Sequence, residues 1–405
     1  MVIVGAGEAG ACAALALREN GWTGPVTLIG EELEAPYERP PLSKTVMTAA
    51  AEPGAPVVLG QSLRREKNIE FLAGSAAIAI HRAAHLVELE GGRQIPYRKL
   101  LLTTGARARR LDTAGTSQLL YLRTFADALA IRARLLPQTH IGIIGGGFIG
   151  LELAASARQR GCKVTVLEMA PRILMRGVPL EIAAKIADRH RAAGVDLRTG
   201  VGIQAIEDAG NRQAIVLVDG AKVACDGVIA GIGAIPETSL AERCGLKLEN
   251  GIRVDERLKT TDPDIFAAGD CCSFPHPLYD SRRIRLEAWR NARDQGALAG
   301  RNMLGAEAIY DAVPSFWSDQ YDLTLRIAGL PDGAKATVAR DLGDDVQLYF
   351  HLAEDGRLLA ASAVGPDSKI AKEIRLAEML IARRQRPNPD DLARSDVRLK
   401  SLLAA

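Results

Sequence analysis

The sequence predicts an α/β fold with two dinucleotide-binding domains and a C-terminal α+β domain. Three features support this prediction: a glycine-rich loop between a strand and a helix occurs twice, apolar strand-like segments flank the second copy, and short alternating strands precede a helix near the C terminus. A chain of 405 residues is also too long for one ordinary hydrophobic core. We therefore expect two or three domains.

The first copy of the repeated plan begins at the N terminus. Met1 to Val4 reads as an apolar strand, and the GxGxxG loop Gly5-Ala6-Gly7-Glu8-Ala9-Gly10 follows it. Ala11 to Asn20 has helix composition, Val26 to Ile29 reads as the second strand, and Glu31 lies just beyond that strand. This order predicts a βαβ unit of the Rossmann type.

The second copy repeats that order in the middle of the chain. Ile141 to Ile144 reads as a strand, Gly145-Gly146-Gly147-Phe148-Ile149-Gly150 as the loop, and Leu151 to Arg160 as the helix. Val164 to Leu167 then forms the second strand, which ends at Glu168. A single GxGxxG is weak evidence, but two copies that each follow a strand, open a helix and precede an acid form a strong signal.

Each loop has the chemistry of a pyrophosphate site. The first glycine makes the turn, the second lets the pyrophosphate approach the backbone, and the third allows close packing of helix on strand. Glu31 and Glu168 are placed to accept hydrogen bonds from ribose hydroxyls, and a carboxylate at position 168 repels the 2′-phosphate of NADP, which favours NAD. Arg172 would soften this preference if it reached the cofactor. The alternative is that Glu168 and Arg172 are only solvated loop charges.

Two further segments are predicted to be strands that lead into turns facing a cofactor, Lys99 to Ala106 and Gly227 to Pro236. Because the second βαβ unit lies between them, we expect one domain to be inserted into another. The residues at their turns are Thr104, Gly105, Gly231, Ile232 and Gly233. The predicted boundaries are 1–107 and 236–315 for the first cofactor domain, 108–235 for the inserted domain and 316–405 for the C-terminal domain.

The pattern continues after the insertion. Ile265 to Ala268 reads as a short strand, and Gly269 frees the turn so that Asp270 projects at the carboxyl end of the sheet, where doubly wound folds bind ligands. From Phe316 onward the sequence changes to short alternating strands followed by a helix. The clearest of these elements are Val346 to Leu352, Leu358 to Val364 and the helical run Ser368 to Arg384.

Composition excludes several function classes. A net charge of +2 and 4% aromatic residues give neither a basic footprint nor a base-stacking surface for nucleic acid. No apolar run reaches the length of a membrane span, and the first residues leave no room for a basic leader. The six cysteines are scattered, which is typical of a cytoplasmic protein, and the histidines predict no metal site.

One stretch indicates the branch of the fold more closely, namely Pro36-Tyr37-Glu38-Arg39-Pro40-Pro41-Leu42-Ser43-Lys44. Together with other stretches it resembles the two-dinucleotide flavoproteins of glutathione reductase-like fold, and especially the ferredoxin reductases that serve oxygenases. The resemblance is spread over nearly the whole chain. The matching stretches are VIVGAGEAG, PYERPPLSK, LLLTTGARAR, YLRT, IGIIGGGFIGLE, AGIGAIPE, IFAAGDC, RLEAWRNARDQG and FWSDQYD.

The resemblance implies that the first loop holds FAD and the inserted loop holds NADH. Lys44, Glu152 and Trp289 are then the expected catalytic residues, with Lys44 and Trp289 beside the flavin and Glu152 at the nicotinamide. The expected FAD-binding residues are Gly5, Gly7, Ala9, Gly10, Glu31, Arg39, Pro41, Lys44, Thr104, Gly105, Arg123, Gly269, Asp270, Glu287, Ala288 and Trp289. The expected NADH-binding residues are Gly145, Gly147, Phe148, Ile149, Gly150, Glu152, Glu168, Arg172, Gly231, Ile232 and Gly233.

Physical reasoning supports several of these roles. A double proline makes a stiff wall that suits a planar ring, and a lysine beside the flavin stabilises the anion formed on reduction. Other interpretations stay open: Lys44 as a surface lysine, Glu152 as an acid that favours the helix dipole, and Trp289 as a core residue. Arg123 in turn has the alternative of pairing with Asp127 on the next helical turn.

The same segment carries no redox cysteine. Ser43 and Lys44 stand where a thiol would be sought, Cys12 reads as a small core residue, and the adjacent Cys271 and Cys272 would bridge only with strain. Without a thiol relay, electrons leave from the flavin itself to a one-electron carrier. We therefore expect hydride transfer from NADH to flavin N5, then single-electron transfers to a small iron-sulfur ferredoxin.

An acidic ferredoxin would bind at basic clusters on this chain. We expect the protein itself to be a monomer or a weak dimer. Docking is expected near Arg290 and Arg293, although solvated surface is the default interpretation of any charge run. The neighbouring clusters are Arg107, Arg109 and Arg110, and Arg282, Arg283 and Arg285. The alternatives are a rubredoxin reductase, an NADH oxidase or disulfide reductase of the same superfamily, and an NADH-switched interaction protein of the apoptosis-inducing-factor type.

Overall fold

The computed structural model describes residues 1–175, 177–210, 212–344 and 346–403. The α-helices, in chain order, are α1 (Glu8–Glu19), α2 (Thr45–Thr48), α3 (Gln61–Glu66), α4 (Phe125–Arg132), α5 (Phe148–Gln159), α6 (Leu180–Ala192), α7 (Ser239–Arg243), α8 (Trp289–Met303), α9 (Asp367–Ala382) and α10 (Pro389–Ala393). Short 3-10 helices span Pro40–Ser43, Arg82–Ala84, Thr116–Gln118, Pro277–Tyr279 and Leu399–Leu403. None of the helices in these ranges is long and apolar enough to cross a membrane.

The strands are short and numerous. In chain order they are β1 (Val2–Val4), β2 (Thr27–Ile29), β3 (Glu70–Leu72), β4 (Ala77–His81), β5 (Leu86–Leu89), β6 (Gln94–Pro96), β7 (Leu100–Leu102), β8 (Ala106–Ala108), β9 (His140–Ile144), β10 (Lys163–Glu168), β11 (Val195–Thr199), β12 (Ile203–Ala209), β13 (Arg212–Leu217), β14 (Lys222–Cys225), β15 (Gly227–Ala230), β16 (Ala234–Pro236), β17 (Ile252–Arg253), β18 (Ile265–Ala267), β19 (Cys272–His276), β20 (Arg282–Ile284), β21 (Ser315–Gln320), β22 (Leu323–Gly329), β23 (Ala336–Asp341), β24 (Gln347–Leu352) and β25 (Leu358–Gly365). Strands and helices alternate in the two βαβ units, β1-α1-β2 and β9-α5-β10, whereas most other strands follow one another in runs.

The chain packs into two compact units, each assembled from separate segments. The first unit contains Met1–Arg39, Ala55–Arg107 and Ala234–Ala312. The second unit contains Pro40–Gly54, Ala108–Gly233 and Val313–Ala405. The boundaries of the three predicted domains stay a prediction.

The first unit is built on a parallel sheet with the strand order β18-β7-β1-β2-β3. Strand β1 pairs with β2 and with β7 in parallel, and β18 pairs with the other edge of β7. Strands β1, β2, β7 and β18 are buried at every residue, which is typical of a parallel sheet. Strand β18, which follows the second βαβ unit in the chain, thus joins the same sheet as the N-terminal strand β1.

Helices α1 and α8 of this unit pack so closely that their backbones nearly touch. A Cβ atom at Gly296 would lie 2.2 Å from the carbonyl oxygen of Ala9, and one at Gly300 would lie 2.8 Å from that of Ala13. Only glycine permits this separation. The glycine of the RNARDQG stretch, Gly296, is thus required by helix packing.

The second unit contains the other parallel sheet, in the order β11-β10-β9-β15, and the antiparallel sheet β21-β22-β25-β24-β23. Helix α9 packs on β25 and β22, so the C-terminal part has the predicted α+β character. Ile182 and Ile186 of α6 share one apolar core with Leu325 and Ile327 of β22. This shared core holds the C-terminal sheet beside the second dinucleotide-binding fold.

The two repeated helices begin earlier than the sequence predicts. The expected starts were Ala11 and Leu151, whereas α1 begins at Glu8 and α5 at Phe148. The last three positions of each GxGxxG loop already form the first helical turn. The third glycine therefore lies inside the helix, where it packs on the strand.

We predict that Gly296→Ala destabilises the first unit, because its Cβ would overlap the backbone of α1. Overpacking of this kind costs about 1–3 kcal/mol and should lower the apparent Tm by about 2–5 °C. Thermal unfolding of the FAD-loaded protein checks this, with Gly54→Ala as the control, since a Cβ at Gly54 meets nothing within 4 Å. Equal melting temperatures for both variants would contradict the close packing described here.

Candidate cofactor sites

The first glycine-rich loop has the geometry of a phosphate cradle. Gly5 has a φ of +110°, and a Cβ there would lie 2.1 Å from the carbonyl oxygen of Thr103. A Cβ at Gly10 would lie 2.1 Å from the carbonyl oxygen of Gly5, whereas one at Gly7 would meet nothing within 4 Å. The first and third glycines are thus required by packing, and the second leaves open space at the start of α1.

The second loop repeats this geometry residue by residue. Gly145 has a φ of +109°, and its Cβ would lie 2.4 Å from the carbonyl oxygen of Gly231. A Cβ at Gly150 would lie 2.1 Å from the oxygen of Gly145, while Gly147 again faces open space. Neither Gly7 nor Gly147 caps its helix with a side chain, so backbone N–H groups are presented there. Such helix starts suit a pyrophosphate.

Glu168 stands at the end of β10 with both carboxylate oxygens held by backbone amides. Oε2 accepts from the N–H of Gly146 at 2.6 Å, and Oε1 accepts from the N–H of Ala170 at 2.7 Å. These hydrogen bonds fix the negative charge beside the second loop. The interpretation of Glu168 as a solvated charge therefore does not describe its surroundings.

Arg172 is directed to its own loop. Its guanidinium donates to the carbonyl oxygens of Ile173 at 3.2 Å, Leu174 at 3.1 Å and Val178 at 3.0 Å. Arg172 thereby shapes the segment that follows Glu168.

Glu31 lies exposed just beyond β2, as predicted, and its neighbour Glu32 is held in place. Glu32 accepts hydrogen bonds from Arg39 at 2.6 Å and from the hydroxyl of Tyr37 at 2.5 Å. Burial lowers the pKa of Arg39, but Tyr37, Glu32 and Asp270 outweigh it, so that pKa is raised. Arg39 and Asp270, both predicted FAD residues, are thus close enough to interact.

The turn that carries Asp270 is fixed by a side chain that sequence reasoning missed. The N–H of Gly269, which has a φ of +84°, donates to Oε1 of Gln295 at 2.8 Å. Gln295 is completely buried on α8. The RNARDQG stretch contains it, but no local pattern links it to Gly269, which precedes it by 26 residues.

Trp289 is the first residue of α8 and belongs to a small polar cluster. The guanidinium of Arg293 lies 5.4 Å from the centre of the Trp289 ring. Burial raises the pKa of Glu8, and hydrogen bonds from Cys12 and Trp289 partly offset that rise. Just before the helix, Ala288 is extended and Glu287 pairs with Arg285 at 2.6 Å.

The two flanking strands end in turns, as predicted. Thr104 donates to the carbonyl oxygen of Glu237 at 2.6 Å, and the carbonyl of Gly105 accepts from the N–H of Glu237 at 2.9 Å. Gly233 has a φ of +107°, and its carbonyl accepts from the N–H of Arg109 at 2.9 Å. Ile232 lies between Gly231 and Gly233, beside the second loop.

Lys44 and Glu152 form an ion pair, which the sequence did not reveal. The Nζ of Lys44 lies 2.8 Å from Oε2 of Glu152, whose side chain is 4% exposed. Ser43 donates to the same oxygen at 2.5 Å, and Ser318 donates to Oε1 at 2.6 Å. Lys44 follows the short 3-10 helix that contains Pro41. The buried pair replaces the interpretations of Lys44 as a surface lysine and of Glu152 as a simple helix-start acid.

The remaining predicted residues are placed as follows. Asp127 accepts from the backbone N–H of Arg123 at 3.0 Å and forms a capping box with Thr124. Phe148 packs edge-on against Phe316 at 5.4 Å, and Ile149 is 44% exposed at the start of α5. Asp127 thus orders the backbone around Arg123.

All six cysteines are free thiols. Cys271 and Cys272 are completely buried, and burial raises the pKa of both thiols. Burial raises the pKa of Cys12 to about 12. Thiols of this kind are poor nucleophiles. Across residues 1–175, 177–210, 212–344 and 346–403, no group of three histidine, cysteine or acidic side chains is arranged to hold a metal.

The basic clusters are partly neutralised by neighbouring acids. Arg290 lies 3.6 Å from Asp294, and Arg107 lies 3.7 Å from Glu237. Arg283 lies 3.2 Å from Glu249 and also donates to backbone carbonyls. Aromatic rings lie beneath three others, namely Arg110 over Tyr121, Arg282 over Tyr279 and Arg293 over Trp289. Any docking surface here therefore combines arginines with acidic and aromatic side chains.

Two family models match the chain. The pyridine nucleotide-disulphide oxidoreductase model matches residues 1–296, and the reductase C-terminal model matches residues 315–403. The ferredoxin–NAD(+) reductase component of the anthranilate 1,2-dioxygenase system of Burkholderia cepacia is 40% identical over 409 residues, covering 99% of this chain and 98% of the relative. Putidaredoxin reductase of Pseudomonas putida is 36% identical over 414 residues, covering 100% and 97%.

Solved structures agree with these relatives. The covalent putidaredoxin reductase–putidaredoxin complex matches with a TM-score of 0.93 and 36% identity, covering 100% of this chain and 97% of that chain. The ferredoxin reductase for the CYP199A2 system from Rhodopseudomonas palustris matches with a TM-score of 0.93 and 35% identity, covering 99% and 98%. The chain therefore belongs to the pyridine nucleotide-disulphide oxidoreductase family, in its branch of oxygenase-coupled, FAD-dependent NADH:ferredoxin reductases.

Proposed function

We propose that the protein takes electrons from NADH and passes them, through FAD and without a redox disulfide, to a small iron-sulfur ferredoxin that feeds a monooxygenase or dioxygenase. The observation that carries this function is the pair of matched glycine cradles in one chain, each open at its second glycine. FAD and NAD(H) are the cofactors of this family branch. Relatives named as ferredoxin reductases favour this function over a rubredoxin reductase, a disulfide reductase or an interaction protein.

The first cradle would hold FAD. The amides at the start of α1 would bind the pyrophosphate, Glu31 the adenosine ribose, and Asp270 the ribityl or pyrophosphate part of the cofactor. Arg39, Thr104, Gly105 and the stretch Glu287 to Trp289 would line the rest of the site. When bound, FAD supplies the ability to accept a hydride and release electrons singly.

The second cradle would hold NADH. The amides at the start of α5 would bind the pyrophosphate, and the fixed carboxylate of Glu168 would accept from the ribose hydroxyls. Phe148, Ile149 and the turn Gly231 to Gly233 would line the nicotinamide half. Glu152, with Lys44 as its ion-pair partner, would border the reacting end of the nicotinamide.

Lys44 and Trp289 complete the proposed catalytic set. Lys44 would place its positive charge beside the flavin, where it offsets the negative charge that reduction brings, and Pro41 would form a rigid wall. Arg123 would contact the FAD.

The proposed domains are 1–107 with 236–315 for FAD, 108–235 for NADH and 316–405 at the C terminus. The free cysteines favour a cytoplasmic location, and we propose a monomer or weak dimer.

We expect anaerobic addition of NADH to bleach the flavin absorbance at about one equivalent per FAD. Iodoacetamide added to the NADH-reduced enzyme should leave ferredoxin reduction unchanged, because the described thiols have no role as electron carriers. Absorbance spectroscopy followed by a ferredoxin assay measures both effects. Loss of activity only after alkylation of the reduced form would point instead to a redox disulfide, and unchanged absorbance would refute the proposed function.

We expect Glu168→Gln to weaken the preference for NADH over NADPH. The variant removes the charge that repels a 2′-phosphate, and its amide group cannot accept from both Gly146 and Ala170. The ratio of kcat/KM for NADH to that for NADPH should fall about tenfold. Asp188→Asn, at an exposed acid of α6, should leave the ratio unchanged. A ratio that stays at the wild-type value in both variants would exclude Glu168 as the discriminating residue.

We expect ferredoxin reduction to slow as ionic strength rises, because opposite charges steer the encounter. Arg290→Gln should lower the second-order rate constant about threefold at low salt, with the difference vanishing at high salt. The control is Arg253→Gln, at a half-exposed arginine that pairs with Glu249. A rate constant that is independent of salt in the wild-type protein would refute electrostatic docking.

A further inference from the structure

A chain of buried polar side chains leads from the C-terminal sheet to Glu152. His190 Nε2 lies 2.8 Å from Oε1 of Gln320, and Nε2 of Gln320 lies 3.0 Å from Oγ of Ser318. Ser318 in turn donates to Oε1 of Glu152 at 2.6 Å. All four side chains are at most 4% exposed, and all belong to the second unit.

The hydrogen bonds between these side chains all donate in one direction, from His190 toward Glu152. Burial lowers the pKa of His190, which favours the neutral ring, and Tyr321 donates its hydroxyl proton to Nδ1 across 3.3 Å. The Nε2–H of His190 then donates to the amide oxygen of Gln320. This orients the amide of Gln320 so that its NH₂ group donates to Ser318. The hydroxyl proton of Ser318 is thereby left for Glu152.

The other oxygen of Glu152 meets two donors from the PPLSK segment. Lys44 approaches Oε2 to 2.8 Å and Ser43 to 2.5 Å. Ser43 is itself held, because Ser156 of α5 donates to its carbonyl oxygen at 2.7 Å. Glu152 thus accepts from the PPLSK segment on one oxygen and from β21 on the other. Three donors therefore fix the position of this one side chain.

Packing alone does not require this arrangement. Ser318 and Gln320 lie on the same face of β21, and the neighbouring core of α6 and β22 is apolar. Apolar side chains of similar volume would fill this space without the cost of burying polar groups. The position of a polar chain that ends on a proposed catalytic acid therefore points to a role in the reaction.

We propose that Ser318 and Gln320 are positioning residues, which hold the carboxylate of Glu152 so that its second oxygen faces Lys44. This inference deepens the proposed function, because it rests on the roles given there to Lys44 and Glu152. The FWSDQ stretch contains both residues, so the C-terminal sheet orients the ion pair of Glu152 with Lys44. Neither residue contacts the reacting atoms in this scheme.

The test compares single and double variants of the FAD-loaded enzyme during anaerobic reduction by saturating NADH. Ser318→Ala should slow flavin reduction about tenfold, as expected for losing a hydrogen bond to a charged group. The double variant Ser318→Ala with Glu152→Gln should be no slower than Glu152→Gln alone, because Ser318 acts through Glu152. Independent effects that multiply would overturn the proposal.

Ser362→Ala is the matched control. Ser362 is 1% exposed, like Ser318, lies in the same sheet and pairs with a histidine, His351, at 3.0 Å. Its loss should change the reduction rate less than twofold. If Ser362→Ala slows reduction as much as Ser318→Ala, the effect is one of general packing and the proposal is wrong.

Two further variants keep the test decisive if Ser318→Ala loses FAD or its fold. Ser318→Thr retains the hydroxyl and should restore most of the rate, and Gln320→Met removes the orienting amide at similar volume and should slow reduction about threefold. Wild-type rates in Ser318→Ala and Gln320→Met, with a slow Glu152→Gln, would overturn this proposal and leave the proposed function intact. A wild-type enzyme that NADH does not reduce would overturn both.

Discussion

The close approach of backbone to backbone at the two glycine-rich loops is the constraint on which the rest of the structure depends. A side chain at Gly10 or Gly150 would overlap the carbonyl oxygen of the first glycine of its own loop. Each helix can therefore begin directly beside the end of its strand, with free amides around Gly7 and Gly147. Phosphate binding and helix packing are consequences of one geometry.

The cysteines and the PPLSK segment bear on how electrons leave the protein. The cysteines are free thiols, burial raises the pKa of those at positions 12, 271 and 272, and the PPLSK segment places a lysine and a serine where a relay thiol would stand. The described residues thus offer charge and orientation instead of a second redox centre. Such a protein suits a partner that accepts electrons one at a time.

The C-terminal sheet does more than cover the second dinucleotide-binding fold. It shares an apolar core with α6, and that core holds β21 close to the start of α5. Polar side chains on β21 then reach Glu152, whose other oxygen is bound by Lys44. Three segments far apart in the chain meet here: α5 carries the carboxylate, and the PPLSK segment and β21 each donate at least one hydrogen bond to it.

The sequence by itself determined the two βαβ units, the acids that follow them and the lack of a cysteine in the PYERPPLSK stretch, because these features depend on neighbours within about 30 residues. Only the tertiary structure decided that Lys44 pairs with Glu152, that Gln295 holds the turn before Asp270, and that Ser318 orients Glu152. Those contacts join residues 26 to 166 positions apart. Local patterns carry no information on them, since packing of sheets and helices brings them together.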